Sequence, residues 1–349
     1  MKRFLVSLAL ILFAATAFAQ AVDRDVLVTL DGTVYTVDQG IPSSSSGVAA
    51  ANILELSIQN GSEAPQYMLV PESVRAGYHF GSTLAYDADS KTLFVLWTHT
   101  SSGTSSELLL ASYRDGKWHP AISIDNQANH IHTNLRLGIS RRVSQLQKDG
   151  TYADVPALLL NAVWWDETSS GGEARYAMLP IENGTLSQSS TEIHSLEDFV
   201  PAGSDFFNAV DPQFNAEILR HPAIVSSPMQ STVDIVFGDT KNNLLHAVTL
   251  HPIADVRIHI PGGINGGGPG GGKPPMSLAV PPSFSSNWKG PISVIERGDR
   301  LAFANAGETS LNYITYVNGT WSDVKSIGID NKLSAEVALT ALDKMVSTQ

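Results

Sequence analysis

Four dipeptides constrain this chain more than anything else in it: Asn60-Gly61, Asp115-Gly116, Asn183-Gly184 and Asn318-Gly319. Each closes an apolar run with the alternation of a strand. Asn-Gly and Asp-Gly are the strongest short hairpin signals, because a two-residue type I′ connection needs positive φ at both central positions. The four turns are separated by 55, 68 and 135 residues, the last gap being close to twice the one before. A regular array therefore predicts a further unit ending near residue 251. The sequence supplies one: a strand at 233–237, a polar loop at 239–243, a second strand at 244–250 and a degenerate turn at His251-Pro252.

Every unit has the same order of events. In the second, an apolar strand (92–97) is followed by a polar loop (100–106), another strand (107–113), the Asp115-Gly116 turn, and then Lys117-Trp118. A preceding strand is readable at 26–30, 82–86, 135–139, 223–225 and 292–295, so each unit contributes four strands, A to D. Repeated four-stranded antiparallel units predict an all-β fold, a β-propeller of five recognisable blades, with six as the alternative count. A two-sheet β-sandwich would also explain the alternation, but not the spacing of the turns. Helix is expected only at 334–346, where Ala338, Leu342 and Met345 fall at helical spacing after Ser334, giving a helical tail over 331–349. The Gly/Pro-rich stretch 262–275 reads as a flexible loop, since the repeat resumes in phase beyond it.

Lys2 and Arg3, the apolar run 4–13 and Ala17-Phe18-Ala19 form the three parts of a secretory leader, assigned to 1–19 and leaving the propeller over 20–330. The run is shorter than the roughly 20 residues a membrane span takes. The mature chain is thus expected in the periplasm or outside the cell, with no membrane insertion once the leader is removed. A net charge of −12 leaves no large basic face for nucleic acid. With no cysteine there is no disulfide, thiolate nucleophile or Cys-ligated metal.

In such blades the A–B and C–D connections share one rim, and the B–C loops and D-to-A crossovers share the other. The tight turns are of the C–D kind, while the long segments 188–220 and 251–290 fall on the opposite rim. That rim is the expected working face, because binding groups concentrate on loops carried by a rigid scaffold. The ends of the B strands repeat an aromatic-x-polar pattern there, making Trp97, His99, Trp165, Asp166, Asp239 and Asn305 candidate binding residues, with His221 nearby. One reading is a polar ring over an aromatic floor suited to sugar. The other is that the aromatics pack between blades and the polar residues merely begin loops. The segment 197–221 carries Asp205, Asp211, Glu217 and Arg220, the candidate catalytic set for acid/base work on a glycosidic bond. The same acidic loop could hold a structural calcium, or simply be solvated. No other cofactor is expected. His130 and His132 lie two apart, where a metal could bridge both rings, but the neighbouring sequence shows no third ligand and no metal site is assigned.

The segments 84–89, 93–97 and 110–118, echoed at 313–321, resemble the sialidase-like (neuraminidase-like) propeller superfamily over about residues 25 to 330. Arg220-His221-Pro222-Ala223-Ile224 looks like that family's arginine-isoleucine-proline motif. The resemblance implies a propeller and an arginine clamp for a sugar carboxylate, with Arg75, Arg136 and Arg297 available to complete it. The turns here lack the family's full Asp-box, and Arg220 sits in the fourth unit rather than near the start. The combined expectation is a non-catalytic propeller recognising a glycan or an extracellular protein. The alternatives are a sialidase-type glycoside hydrolase and a scaffold subunit of an envelope complex.

Overall fold

A computed structural model describes residues 24–29, 33–40, 53–182, 184–186, 192–196, 223–226, 233–239, 244–252, 258–259, 276–279, 292–297, 300–306, 310–317, 320–323 and 325–328. The described residues are nearly all β and contain no α-helix. No helix among them is long and apolar enough to cross a membrane. The leader, the 262–275 loop, the 331–349 tail and the whole of 197–222 lie outside the described residues.

The strands form five separate antiparallel sheets in chain order. The first holds β1 (Arg24–Val28), β2 (Thr33–Gly40), β3 (Ile53–Asn60) and β4 (Gln66–Leu69). The second holds β5 (Tyr78–Asp87), β6 (Thr92–Ser102), β7 (Ser105–Arg114), β8 (Lys117–Trp118) and β9 (Ile122–Asp125). The third holds β10 (Ile131–Leu146), β11 (Tyr152–Thr168), β12 (Gly171–Glu182), β13 (Thr185–Leu186) and β14 (Glu192–Ser195). The fourth, the unit inferred from the doubled gap, holds β15 (Ala223–Ser226), β16 (Val233–Asp239), β17 (Leu244–Pro252), β18 (Ile258–His259) and β19 (Met276–Ala279). The fifth holds β20 (Ile292–Arg297), β21 (Arg300–Ala306), β22 (Ser310–Val317), β23 (Thr320–Trp321) and β24 (Lys325–Gly328). Among the described residues each is a meander of consecutive strands, as the A-to-D reading requires.

From the second sheet onward the fourth strand comes in two pieces, both paired to the third. In the second sheet the cause is Pro120. His119 still donates to the Ser112 carbonyl at 2.8 Å, but proline has no N–H, so pairing resumes only at Ile122 opposite Leu110.

The turns differ from expectation in two units. Asp115-Gly116 is a true two-residue connection, with φ of 51° and 76°. After Asn60 only Gly61 has positive φ, and the chain makes a wider turn, Glu63 donating to the Asn60 carbonyl at 3.0 Å before β4 begins at Gln66. In the fourth unit His251 and Pro252 pair with His259 and Ile258, so the dipeptide is part of a strand and not the turn itself. The B–C loop of the second sheet is also shorter than the 100–106 read from the sequence, and that of the third is equally short. Strands β6 and β7 continue to Ser102 and Ser105, and β11 and β12 to Thr168 and Gly171, because Ser, Thr and Gly pair in a ladder as readily as they loop.

The chain divides into two compact units, residues 1–135 with 166–172, and residues 136–165 with 173–349. In the first, the core joins two sheets: Val37, Leu54, Leu56 and Val70 from one meet Leu84, Leu93, Val95, Trp97, Leu109 and Ala111 from the next. Tyr35 stacks on Tyr86 across this seam, with ring centroids 5.5 Å apart. Residues 92–100 of β6 are buried on both faces, as a central strand covered on each side must be. The second unit has its own core, in which Val143, Leu159, Val163, Tyr176 and Met178 of the third sheet pack with Val233, Ile235 and Leu250 of the fourth.

Candidate functional site

Ionisable side chains converge at one end of the second sheet, where the crossover 70–77, the β6–β7 end, the crossover 126–130 and the end of β11 gather. This is the rim of B–C connections and D-to-A crossovers. Its backbone is irregular: β5 is bulged between Phe80 and Thr83, β6 between His99 and Ser102, and Gly77 has a φ of 129°. Bulges and positive φ at a sheet end re-aim side chains, and here they turn Arg75, His79 and His99 toward one another.

Arg75 Nη2 donates to His99 Nδ1 at 2.7 Å and to Glu107 Oε2 at 2.5 Å. His99 Nε2 lies 3.1 Å from the Ala76 carbonyl, so in its neutral form the ring donates there and accepts from Arg75 through Nδ1. One guanidinium nitrogen thus holds a ring and a carboxylate, which are directly opposed across β6 and β7. Burial pushes the Glu107 carboxyl up, but hydrogen bonds from Arg75 and Ser123 outweigh it and hold the group below the usual carboxylate range. Arg75 and Glu107 remain about one-third exposed. Beside them in the chain, Val74 (56%) and Tyr78 (57%) are exposed apolar side chains.

His79 packs on His99 with ring centroids 4.7 Å apart. Its Nε2 donates to the Arg75 carbonyl at 3.4 Å, while its buried Nδ1 makes no hydrogen bond among the described residues. Burial, aided by His99 and Arg75, lowers its pKa from 6.5 to about 4. The unfolded chain therefore takes up this proton near 6.5 and the folded chain only near 4, so stability is full above the first value and drains on acidification toward the second. The expected loss is roughly 2 kcal/mol after allowance for solvent screening, and Glu107 adds to it in the same direction at lower pH. Thermal melts of the mature protein between pH 7 and 4 check this. His79→Gln should flatten the upper part of the profile, and an unchanged slope would contradict the assignment.

Deeper at the same end lies a second group. His132 Nε2 is 3.3 Å from Asp125 Oδ2 and 4.0 Å from Asp166 Oδ1, and His130 Nδ1 is 2.7 Å from Asp166 Oδ2. Ser106 Oγ receives the His132 backbone N–H at 2.8 Å and meets its Nδ1 at 2.9 Å, fixing the ring. The backbone N–H of Gln127 reaches Asp125 Oδ1 at 3.3 Å, and Thr98 donates to the His132 carbonyl at 2.9 Å.

Of the residues expected to bind, His99 and Asp166 stand in these two groups. Trp97 is fully buried in the first unit's core and offers no ligand-facing floor. Trp165 packs against the core of the second unit. Trp97 and Trp165 thus pack into cores, while His99 and Asp166 sit on β6 and β11. Asp239 and Asn305 lie on β16 and β21, their backbones opposite Leu244 and Asn312. Asp205, Asp211, Glu217, Arg220 and His221 lie outside the described residues. Sequence reasoning paired His130 with His132 and named Arg75, but missed Glu107, Asp125, His79 and Tyr78. The available signal was the strand register, which sets Glu107 opposite His99.

No protein-family model and no curated protein matches the chain. Among solved structures, a thermostable family-43 glycoside hydrolase aligns with TM-score 0.40 at 9% identity, over 88% of this chain and 93% of its own. A protein of unknown function from Dyadobacter fermentans aligns with TM-score 0.43 at 9% identity, over 87% and 75%. The polysaccharide lyase Uly1 aligns with TM-score 0.38 at 9% identity, over 86% and 67%. At this level none carries a residue correspondence or an activity over to this chain.

Proposed function

We propose that the chain is an exported five-bladed β-propeller that binds an extracellular glycan, without turning it over, on the rim around Arg75. Export rests on the leader pattern at 1–19. Support for the ring comes from five similar meanders and from β6 being buried on both faces, a condition a blade meets between neighbours.

One observation carries the binding site: a pre-positioned Arg75–Glu107–His99 group lies beside exposed Tyr78. The guanidinium and carboxylate offer fixed donors and acceptors for hydroxyls, and the tyrosine ring offers an apolar face with a polar tip. A hydrolase would need two carboxylates open to the saccharide. The two that converge among the described residues, Asp125 and Asp166, are 4% and 0% exposed and do not face a saccharide.

A glycan array followed by calorimetry on the best ligand tests the proposal. Arg75→Ala and Tyr78→Ala should each weaken binding at least about tenfold, close to 1.4 kcal/mol. Tyr67→Ala, on β4 next to the 61–65 turn, should leave it unchanged. Binding to no glycan, or equal loss in the Tyr67 variant, would sink the reading.

A further inference from the structure

We propose that Asp125, His132 and Asp166 form a binding site for a zinc-class divalent ion, independent of the glycan reading. One ligand atom from each of Asp125, His132 and Asp166 lies within 4.8 Å of the others. Ligand atoms held about 2.0–2.6 Å from one ion stand roughly 3 to 5 Å apart, and the distances of 3.3 and 4.0 Å from Nε2 fall in that window.

The surroundings are those of a metal's outer shell. Each ligand is steered by a partner on its far side: Asp166 Oδ2 by His130 at 2.7 Å, Asp125 Oδ1 by the Gln127 N–H at 3.3 Å, and His132 Nδ1 by Ser106 Oγ at 2.9 Å. This leaves one atom of each residue facing the common centre, the arrangement in which metal-ligating histidines and carboxylates are held. An Nδ1–H donated to Ser106 would present the Nε2 lone pair to the ion.

Charge points the same way. Two carboxylates and a ring at 4%, 0% and 0% exposure form a dry centre lined by oxygen and nitrogen, which suits a divalent cation. A divalent ion balances both carboxylates. His130, at 19% exposure, stands on the solvent side, where an ion would enter. The imidazole selects the ion: calcium and magnesium prefer all-oxygen shells, whereas zinc accepts nitrogen and oxygen together.

The test uses the full mature protein, stripped with chelator and titrated separately with Zn²⁺ and Ca²⁺ by calorimetry. The proposal expects one equivalent of Zn²⁺ per chain, a higher melting temperature, and at least a hundredfold weaker binding in His132→Ala and Asp166→Asn. Should those variants not fold, X-ray absorption on the zinc-loaded wild type decides instead, with one imidazole and carboxylate oxygens expected around the ion. Four outcomes overturn the proposal. They are no Zn²⁺ binding, binding of Ca²⁺ alone, undiminished binding in folded variants, and a shell without imidazole.

Discussion

Gly77→Ala is expected to destabilise the protein by roughly 2–4 kcal/mol and to abolish ligand binding at the rim. At a φ of 129° no L side chain is comfortable, and an added Cβ would stand 2.5 Å from the Thr100 carbonyl oxygen and 2.6 Å from His99 Nε2. Neither neighbour can yield cheaply. Thr100 is backbone within β6, and His99 is held from three sides by Arg75, Ala76 and the His79 ring. Pushing His99 away removes one of the two acceptors that fix Arg75. Gly103→Ala is the matched control, since nothing lies within 4 Å of its Cβ position. Denaturant melts should show a clear drop in midpoint for the first and a change within about 0.5 kcal/mol for the second. Equal, small effects would mean the crossover is not packed against β6 as described.

Trp97→Ala is expected to cost roughly 3–5 kcal/mol, the largest loss of any single truncation considered. The side chain is fully buried between the first two sheets, among Leu84, Val95 and Leu109. Its Nε1 makes no hydrogen bond among the described residues, so Trp97→Phe should lose only packing and cost about half as much. A folded Trp97→Ala protein with near-native stability and lost glycan binding would restore the aromatic-floor reading.

The architecture was legible because hairpin chemistry is local. Asp115-Gly116 reports its own turn, and the doubled gap exposed the fourth sheet although His251-Pro252 is itself paired strand. The length of the B–C loops was not legible, since Ser101, Ser102, Ser105 and Ser106 suit a loop or a strand edge alike. The site was legible only in part. His130 and His132 advertise themselves by spacing, but Asp166 is more than thirty residues away and meets them only once β11 is in place. Glu107 looked like the first residue of a strand and nothing more until register set it against His99.

The central claim is that the protein works at the rim around Arg75. Hydrogen–deuterium exchange on the mature protein, with and without a bound glycan, tests it most directly. Ligand should slow exchange in 70–78 and 99–107 and leave the turns 61–65, 88–91 and 115–116 untouched. Protection confined to those turns would contradict the claim.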